Sequence, residues 1–149
     1  RSSAIWIGTM GYLVDTNILS ELRKGKRCDP RVGAWFASVD DNELFLSVLV
    51  IGEMQRSADR IRRRDPKAAV ALDRWLGNIT ATYADRILPV SLAIARLWGS
   101  FGVPDPISTV DGLLAATAIH HELVLATRNV KDVARTGVEY VNPFESTRG

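Results

Sequence analysis

Short apolar runs alternate along this chain with longer segments whose apolar residues recur every three or four positions. The short runs are typical of buried strands and the longer segments of amphipathic helices. Strands are predicted at 12–14, 43–47, 86–90, 122–127 and 138–141. Helices are predicted to begin at Ile18, Pro30, Val48, Pro66, Leu92 and Gly112. This alternation predicts a single α/β domain, with a mostly parallel central sheet flanked by helices on both faces.

The domain is expected to span residues 10–144. The polar stretch 1–9 precedes the first strand, and we interpret it as a leader or a remnant of cloning, with 145–149 as a tail. Because no segment approaches the roughly 20 apolar residues that a membrane-spanning helix needs, no membrane segment is expected.

Composition narrows the classes of function. A formal net charge of +2 over 149 residues does not by itself indicate a nucleic-acid partner, so the positions of the basic residues matter. The single cysteine, Cys28, has no Cys or His at metal-ligand spacing, which argues against a zinc site and fits a reducing compartment. No Gly-x-Gly-x-x-Gly follows the first strand, which excludes a typical dinucleotide-binding fold.

Asp15 stands at the junction between the first strand and the first helix. In open parallel sheets, ligands bind beyond the carboxyl ends of the strands, so this carboxylate is a candidate site residue. A purely structural interpretation is also open, because Asp is a favoured helix-capping residue.

Three further acids have a similar position, each with a structural alternative. Glu53 follows the second strand within two helical turns, although it could pair on the surface with Arg56. Asp111 opens an Ala-rich helix, but Ser108-x-x-Asp111 is also a capping box. Asp132 follows the fourth strand.

Four carboxylates at one sheet edge would raise one another's pKa unless a cation neutralised them. Oxygen ligands without Cys or His favour Mg²⁺ or Mn²⁺ over zinc. Since Mg²⁺ usually binds through few carboxylates plus substrate phosphates, a phosphodiester is the expected completion of the site.

A basic cluster follows Glu53. It is either a solvated helix end that the helix dipole favours or a contact surface for a phosphate backbone. Its members are Arg56, Arg60, Arg62, Arg63 and Arg64.

Taken together, these motifs resemble the PIN domain, and most of all the toxin ribonucleases of VapBC-type toxin-antitoxin systems. The resemblance runs from Met10 to Phe144. It rests on 13–17 (Leu-Val-Asp-Thr-Asn), Glu53, Asp111 and 125–132 (Leu-Ala-Thr-Arg-Asn-Val-Lys-Asp).

The resemblance implies a PIN-like fold in which Asp15, Glu53 and Asp111 are catalytic, metal-binding acids and Asp132 is the fourth. Asn17 and Thr127 would support them by hydrogen bonding. The family motif usually continues from the fourth acid into an aromatic residue, whereas Val133 follows Asp132 here. Asn129 therefore remains an alternative occupant of the fourth position.

The implied activity is Mg²⁺- or Mn²⁺-dependent endoribonucleolytic cleavage that leaves a 5′-phosphate. The implied partners are an RNA substrate, a second copy in a homodimer and a small cognate antitoxin, in a prokaryotic cytoplasm. Two rival classes remain, a metal-dependent phosphatase and a non-catalytic binding module. The residues expected to steer RNA are Arg56, Arg60, Arg62, Arg63, Arg64 and Arg128.

Overall fold

The structure, a computed structural model, describes residues 11–101 and 105–145. The predicted leader at 1–9 lies outside these residues, as do Met10 and the tail residues after Glu145. No helix in the described ranges is both long enough and apolar enough to cross a membrane.

The described residues form five strands and seven α-helices. The strands are β1 (Tyr12–Val14), β2 (Leu44–Ser47), β3 (Ile87–Leu88), β4 (Val124–Ala126) and β5 (Tyr140–Val141). The helices are α1 (Thr16–Leu22), α2 (Pro30–Ala37), α3 (Val48–Arg62), α4 (Pro66–Thr82), α5 (Leu92–Gly99), α6 (Thr109–His120) and α7 (Val130–Ala134).

All strand pairs are parallel, in the order β3-β2-β1-β4-β5. The predicted α/β fold with a parallel sheet is therefore confirmed, and β3 is an edge strand, as its neighbouring proline suggested. The helices pack in two groups, α1 to α4 and α5 to α7. From β1 to β3 the chain adds strands towards one edge of the sheet, and from β4 it adds them towards the other edge. Because crossovers between parallel strands are right-handed, the helices before and after this reversal cover opposite faces of the sheet.

The sheet is anchored by apolar side chains that have no contact with solvent. Leu13 of β1, Leu125 of β4 and Leu114 of α6 each have 0% exposure. Because β1 and β4 are neighbours at the point where strand order reverses, their carboxyl ends open a crevice there. The fold thus positions the crevice beside Asp15.

Helices α6 and α7 differ from the predictions in ways that affect the site. Helix α6 begins at Thr109 rather than Gly112, so Asp111 lies in its first turn. Helix α7 was not predicted, and it includes Asp132. Its five residues are too few to show a helical period, which is why the pattern of apolar positions missed it.

Candidate active site

Asp15 occupies the turn from β1 into α1. Its backbone N–H donates to the carbonyl oxygen of Ala126 in β4 (2.9 Å), which continues the strand pairing by one residue. The neighbouring strands cover the side chain, which is only 4% exposed. The carboxylate is therefore buried at the carboxyl edge of the sheet.

Both carboxylate oxygens of Asp15 accept hydrogen bonds. Oδ1 accepts from the backbone N–H of Thr16 (2.7 Å), so Asp15 caps α1 as the structural alternative proposed. Oδ2 accepts from the hydroxyl of Thr127 (2.6 Å) and from the side-chain amide of Asn17 (3.4 Å). Capping and a place in the crevice are thus compatible roles for one side chain.

Glu53 reaches the same region from the second turn of α3. Its Oε1 accepts a hydrogen bond from the Thr16 hydroxyl, which links α3 to the start of α1 across 37 positions of sequence. Glu53 and Arg56, both described, form no ion pair with each other. The surface pairing that the sequence left open is therefore absent.

Asp111 approaches from the first turn of α6. Its backbone N–H donates to the Ser108 hydroxyl (3.3 Å), so the Ser108 half of the predicted capping box forms. Its carboxylate instead accepts a hydrogen bond from the side-chain amide of Asn129 (3.4 Å).

These side chains line one open crevice of about 470 Å³. Carboxylate, hydroxyl and amide groups dominate its wall, and no basic side chain is among the described residues that line it. The lining residues are Asp15, Thr16, Asn17, Glu53, Ser108, Thr109, Val110, Asp111 and Asn129.

Burial raises the pKa of the Asp15 carboxyl above its usual value. Hydrogen bonds from Thr127 and Thr16 act in the opposite direction, and the negative charges of Asp111 and Glu53 raise the pKa of Asp15 further. Asp111 and Glu53 are therefore close enough to Asp15 to repel its carboxylate. A cation in the crevice would relieve that repulsion.

Relative to the parent at the same pH, the thermal midpoint of metal-free Asp15→Asn is expected to rise as the pH increases from 4 to 8, beside a constant loss from the acceptor oxygen that the amide replaces. A carboxyl whose pKa is higher in the folded state than in the unfolded state favours folding only where it is protonated. That contribution is complete below the unfolded pKa of 3.8 and is lost as the pH rises through the folded pKa. The midpoint should rise by about 2–4 °C for each kcal/mol of relief, and the gain should shrink towards pH 4.

Scanning calorimetry between pH 4 and pH 8 in excess chelator would measure this gain. The exposed Asp40→Asn serves as the matched control, since the Asp40 side chain makes no capping hydrogen bond. A difference in midpoint between Asp15→Asn and the parent that stays constant from pH 4 to pH 8 would contradict the account of Asp15 electrostatics.

The donor chemistry of the crevice suits a hard divalent cation. The charged side chains among the described residues of its wall are carboxylates, and no Cys or His is among those residues. Within the described ranges, no three His, Cys, Asp or Glu side chains gather closely enough to hold a metal ion by themselves. Mg²⁺ fits such an open arrangement, because it retains several waters and needs only one or two protein carboxylates.

The two candidates for the fourth position are placed differently. Asn129 lines the crevice, and its backbone N–H donates to the Thr127 hydroxyl (3.0 Å). Asp132 is exposed in the first turn of α7 and is not among the described residues that line the crevice. The structure therefore brings Asn129 to Asp111 and leaves Asp132 outside the crevice wall.

Thr16 and Ser108 are site residues that the sequence analysis did not single out for the crevice. Thr16 joins Glu53 to the start of α1, and Ser108 orients the first turn of α6. The hydroxyl directly after Asp15 was the available signal for Thr16. Its partner lies 37 positions away, so the contact itself could not be inferred from local pattern.

Most of the basic cluster lies away from the crevice along α3, and Arg56 is the member nearest to Glu53, about one helical turn beyond it. At 1.5 Å of rise per residue, Arg62 is about 14 Å from Glu53 along the helix axis. Arg62 pairs with Asp73 and Asp59, each at 2.8 Å. The remaining members, Arg56, Arg60, Arg63 and Arg64, are exposed and do not line the crevice.

A comparison with protein families identifies the fold. The family model described as "PIN domain" matches residues 12–138. The chain belongs to the PIN domain family. The family motifs predicted from the sequence and the carboxylate crevice thus lie within the matched range of this PIN domain.

Two similar curated proteins cover the PIN domain almost completely. "VapC ribonuclease Y4jK" of Sinorhizobium fredii is 28% identical over 138 residues, which cover 89% of this chain and 97% of that protein. "Toxin FitB" of Neisseria gonorrhoeae is 29% identical over 137 residues, with the same two coverages.

Solved structures resemble this PIN domain as well. The FitAcB crystal structure from Neisseria gonorrhoeae contains a chain with a TM-score of 0.82 and 28% identity, covering 91% of this chain and 99% of that chain. VapBC-1 from nontypeable Haemophilus influenzae gives a TM-score of 0.70 at 21% identity, covering 91% and 100%, which supports the fold alone.

Proposed function

We propose that this PIN domain protein is a divalent-metal-dependent endoribonuclease that acts as the toxin of a toxin-antitoxin pair. The observation that carries the proposal is the convergence of Asp15, Glu53 and Asp111 in one crevice of oxygen ligands. The names of the similar proteins, a VapC ribonuclease and the toxin FitB, supply its second support.

Asp15, Glu53 and Asp111 would hold Mg²⁺ or Mn²⁺. When bound, the ion supplies a water of lowered pKa and charge stabilisation for the phosphodiester in its transition state. The hydroxyls of Thr127 and Thr16 fix the orientations of Asp15 and Glu53, respectively. The chain thus contributes ordered oxygen ligands and a bound position for the scissile phosphate more than acid-base groups.

Asn129 is our proposed occupant of the fourth position, because it contacts Asp111 inside the crevice. Asp132 is not among the described residues that line the crevice, so it would approach a bound substrate or ion only from outside the crevice. An amide in this position adds a neutral hydrogen-bond donor, so the crevice carries three negative charges rather than four. A less negative site repels an incoming RNA phosphate less strongly.

The proposed protein partner is a small cognate antitoxin. Structures that contain the similar chains are described as FitAcB and as FitAB bound to a DNA fragment, at 28% identity each. The homodimer, the 5′-phosphate product and a site of action in a prokaryotic cytoplasm stay part of the proposal. An antitoxin segment that entered the crevice would need basic or amide groups to satisfy its three acids.

Incubation with two substrates tests the proposed class of reaction. The purified protein, freed of any partner and supplied with Mn²⁺, should cut a labelled single-stranded RNA internally and release no phosphate from a small phosphomonoester. Phosphate release without RNA cleavage would favour the phosphatase. Inertness towards every substrate, together with no Mn²⁺ binding by calorimetry, would favour the binding module and overturn the proposal.

A further inference from the structure

Arg128 is a cation beside the acidic crevice that the proposed chemistry does not yet use. It stands between Thr127, a buried residue whose hydroxyl contacts Asp15, and Asn129, which lines the crevice and contacts Asp111. Its backbone N–H donates to Oδ1 of Asn17 (3.2 Å), which fixes its main chain at the rim. The Arg128 side chain therefore starts at the edge of the crevice.

The Arg128 guanidinium is held by an aromatic ring rather than by a carboxylate. Its central carbon lies 4.1 Å from the centroid of the Phe144 ring, which is within the range of a cation–π contact. Phe144 is only 7% exposed and belongs to the core, so the ring is a fixed support. Arg128 forms no ion pair within the described residues.

A preordered guanidinium without an anionic partner is suited to phosphate. Its planar N–H groups can bind two phosphate oxygens at once, and stacking on a ring leaves those groups free at the edge. Because the cation is already oriented, little side-chain entropy is lost when the phosphate binds.

We propose that Arg128, held on Phe144, binds a backbone phosphate of the RNA next to the one placed at the carboxylate crevice. This inference rests on the proposed function and adds a positioning residue to it. Arg128 differs in this respect from Arg62, whose guanidinium is already paired with Asp59 and Asp73. The oriented guanidinium of Arg128 at the rim, rather than the basic cluster on α3, would set the path of the RNA strand.

RNA binding tests the role of Arg128. Fluorescence anisotropy with a labelled single-stranded RNA and Mg²⁺ would use the Asp111→Asn background, in which the strand should stay intact. Adding Arg128→Gln should weaken binding about tenfold, as expected for one charged hydrogen-bonding contact. It should also reduce the slope of log K against log salt by about 0.7, since one phosphate contact is lost from a single strand.

Three further variants sharpen the result. Arg128→Lys keeps the charge but not the planar stacking, so its affinity should fall between those of the parent and Arg128→Gln. Phe144→Leu should weaken binding two- to threefold with a normal salt slope, because the cation remains but is less ordered. Arg96→Gln, an exposed arginine in the last turn of α5, should leave both quantities unchanged.

Equal affinities and equal salt slopes for the parent and Arg128→Gln would overturn the assignment. An unchanged slope with weakened binding would also overturn it, because that result excludes a phosphate contact. Failure of the proposed function would give a different result. The protein with Asp111 intact would then leave the RNA uncut, and the Asp111→Asn protein would not bind it.

Discussion

Asp111→Asn is expected to lower the rate of RNA cleavage by at least about 100-fold. The carboxylate of Asp111 is one of the three that line the crevice and that we propose as metal ligands, and metal-ion catalysis is worth several kcal/mol of transition-state stabilisation. At about 1.4 kcal/mol per factor of ten, the loss of even half of that stabilisation is large. Asn keeps the side-chain shape and the backbone contact with Ser108, so the fold should survive.

Asp132→Asn provides the contrast that the structure makes possible. Asp132 lies outside the crevice wall, so its neutralisation should cost less than about tenfold, by the same free-energy scale. Initial rates with Mg²⁺, and circular dichroism to verify folding, would be measured for both variants and for Asp40→Asn. If Asp132→Asn were as inactive as Asp111→Asn, the fourth position would belong to Asp132 and our assignment of Asn129 would be wrong.

Thr127→Val should produce the largest loss of stability among the site variants. The buried Thr127 hydroxyl donates to Asp15 Oδ2 at 2.6 Å and accepts from the Asn129 N–H at 3.0 Å. Valine fills the same space but satisfies neither group, and a buried group left without its partner costs about 1–3 kcal/mol. The thermal midpoint should therefore fall by roughly 2–12 °C at pH 7.

The pH dependence of that loss distinguishes it from a packing defect. The Thr127 hydrogen bond lowers the pKa of Asp15, so its removal raises that pKa further. The destabilisation should be greatest where Asp15 is ionised and should shrink as the pH falls towards 4, where it becomes protonated. Thr127→Ser retains the hydroxyl and should recover most of the midpoint, whereas equal losses for Ser and Val at every pH would contradict this explanation.

Much of the fold was predictable because the start or end of many elements is determined by residues close to it in sequence. The strand at Tyr12–Val14 is bounded as predicted, and α3 begins at Val48 as predicted, with Ser47 as its cap. Proline opens α2 and α4, where its fixed φ and missing N–H suit a first helical residue. In each case, a few residues adjacent in sequence are sufficient to determine where the strand or helix begins or ends.

The site residues that could be predicted from the sequence were those that lie near the end of a strand or the start of a helix. Asp15 follows β1 directly, so its place in the crevice follows from the rule for parallel sheets. The contact between Thr16 and Glu53 and the stacking of Arg128 on Phe144 depend on how distant elements pack. The choice between Asn129 and Asp132 depended on α7, a helix too short to leave a periodic pattern.

Metal-dependent RNA cleavage is the most direct test of the central claim, that the crevice formed by Asp15, Glu53 and Asp111 is a divalent-metal nuclease site. The purified protein would be stripped with excess chelator, incubated with labelled RNA, and then resupplied with Mg²⁺ or Mn²⁺ beside Asp15→Asn. We predict no cleavage in chelator, restored cleavage with either ion, and none by Asp15→Asn under any condition. Cleavage that persisted in chelator, or that Asp15→Asn retained, would contradict the account.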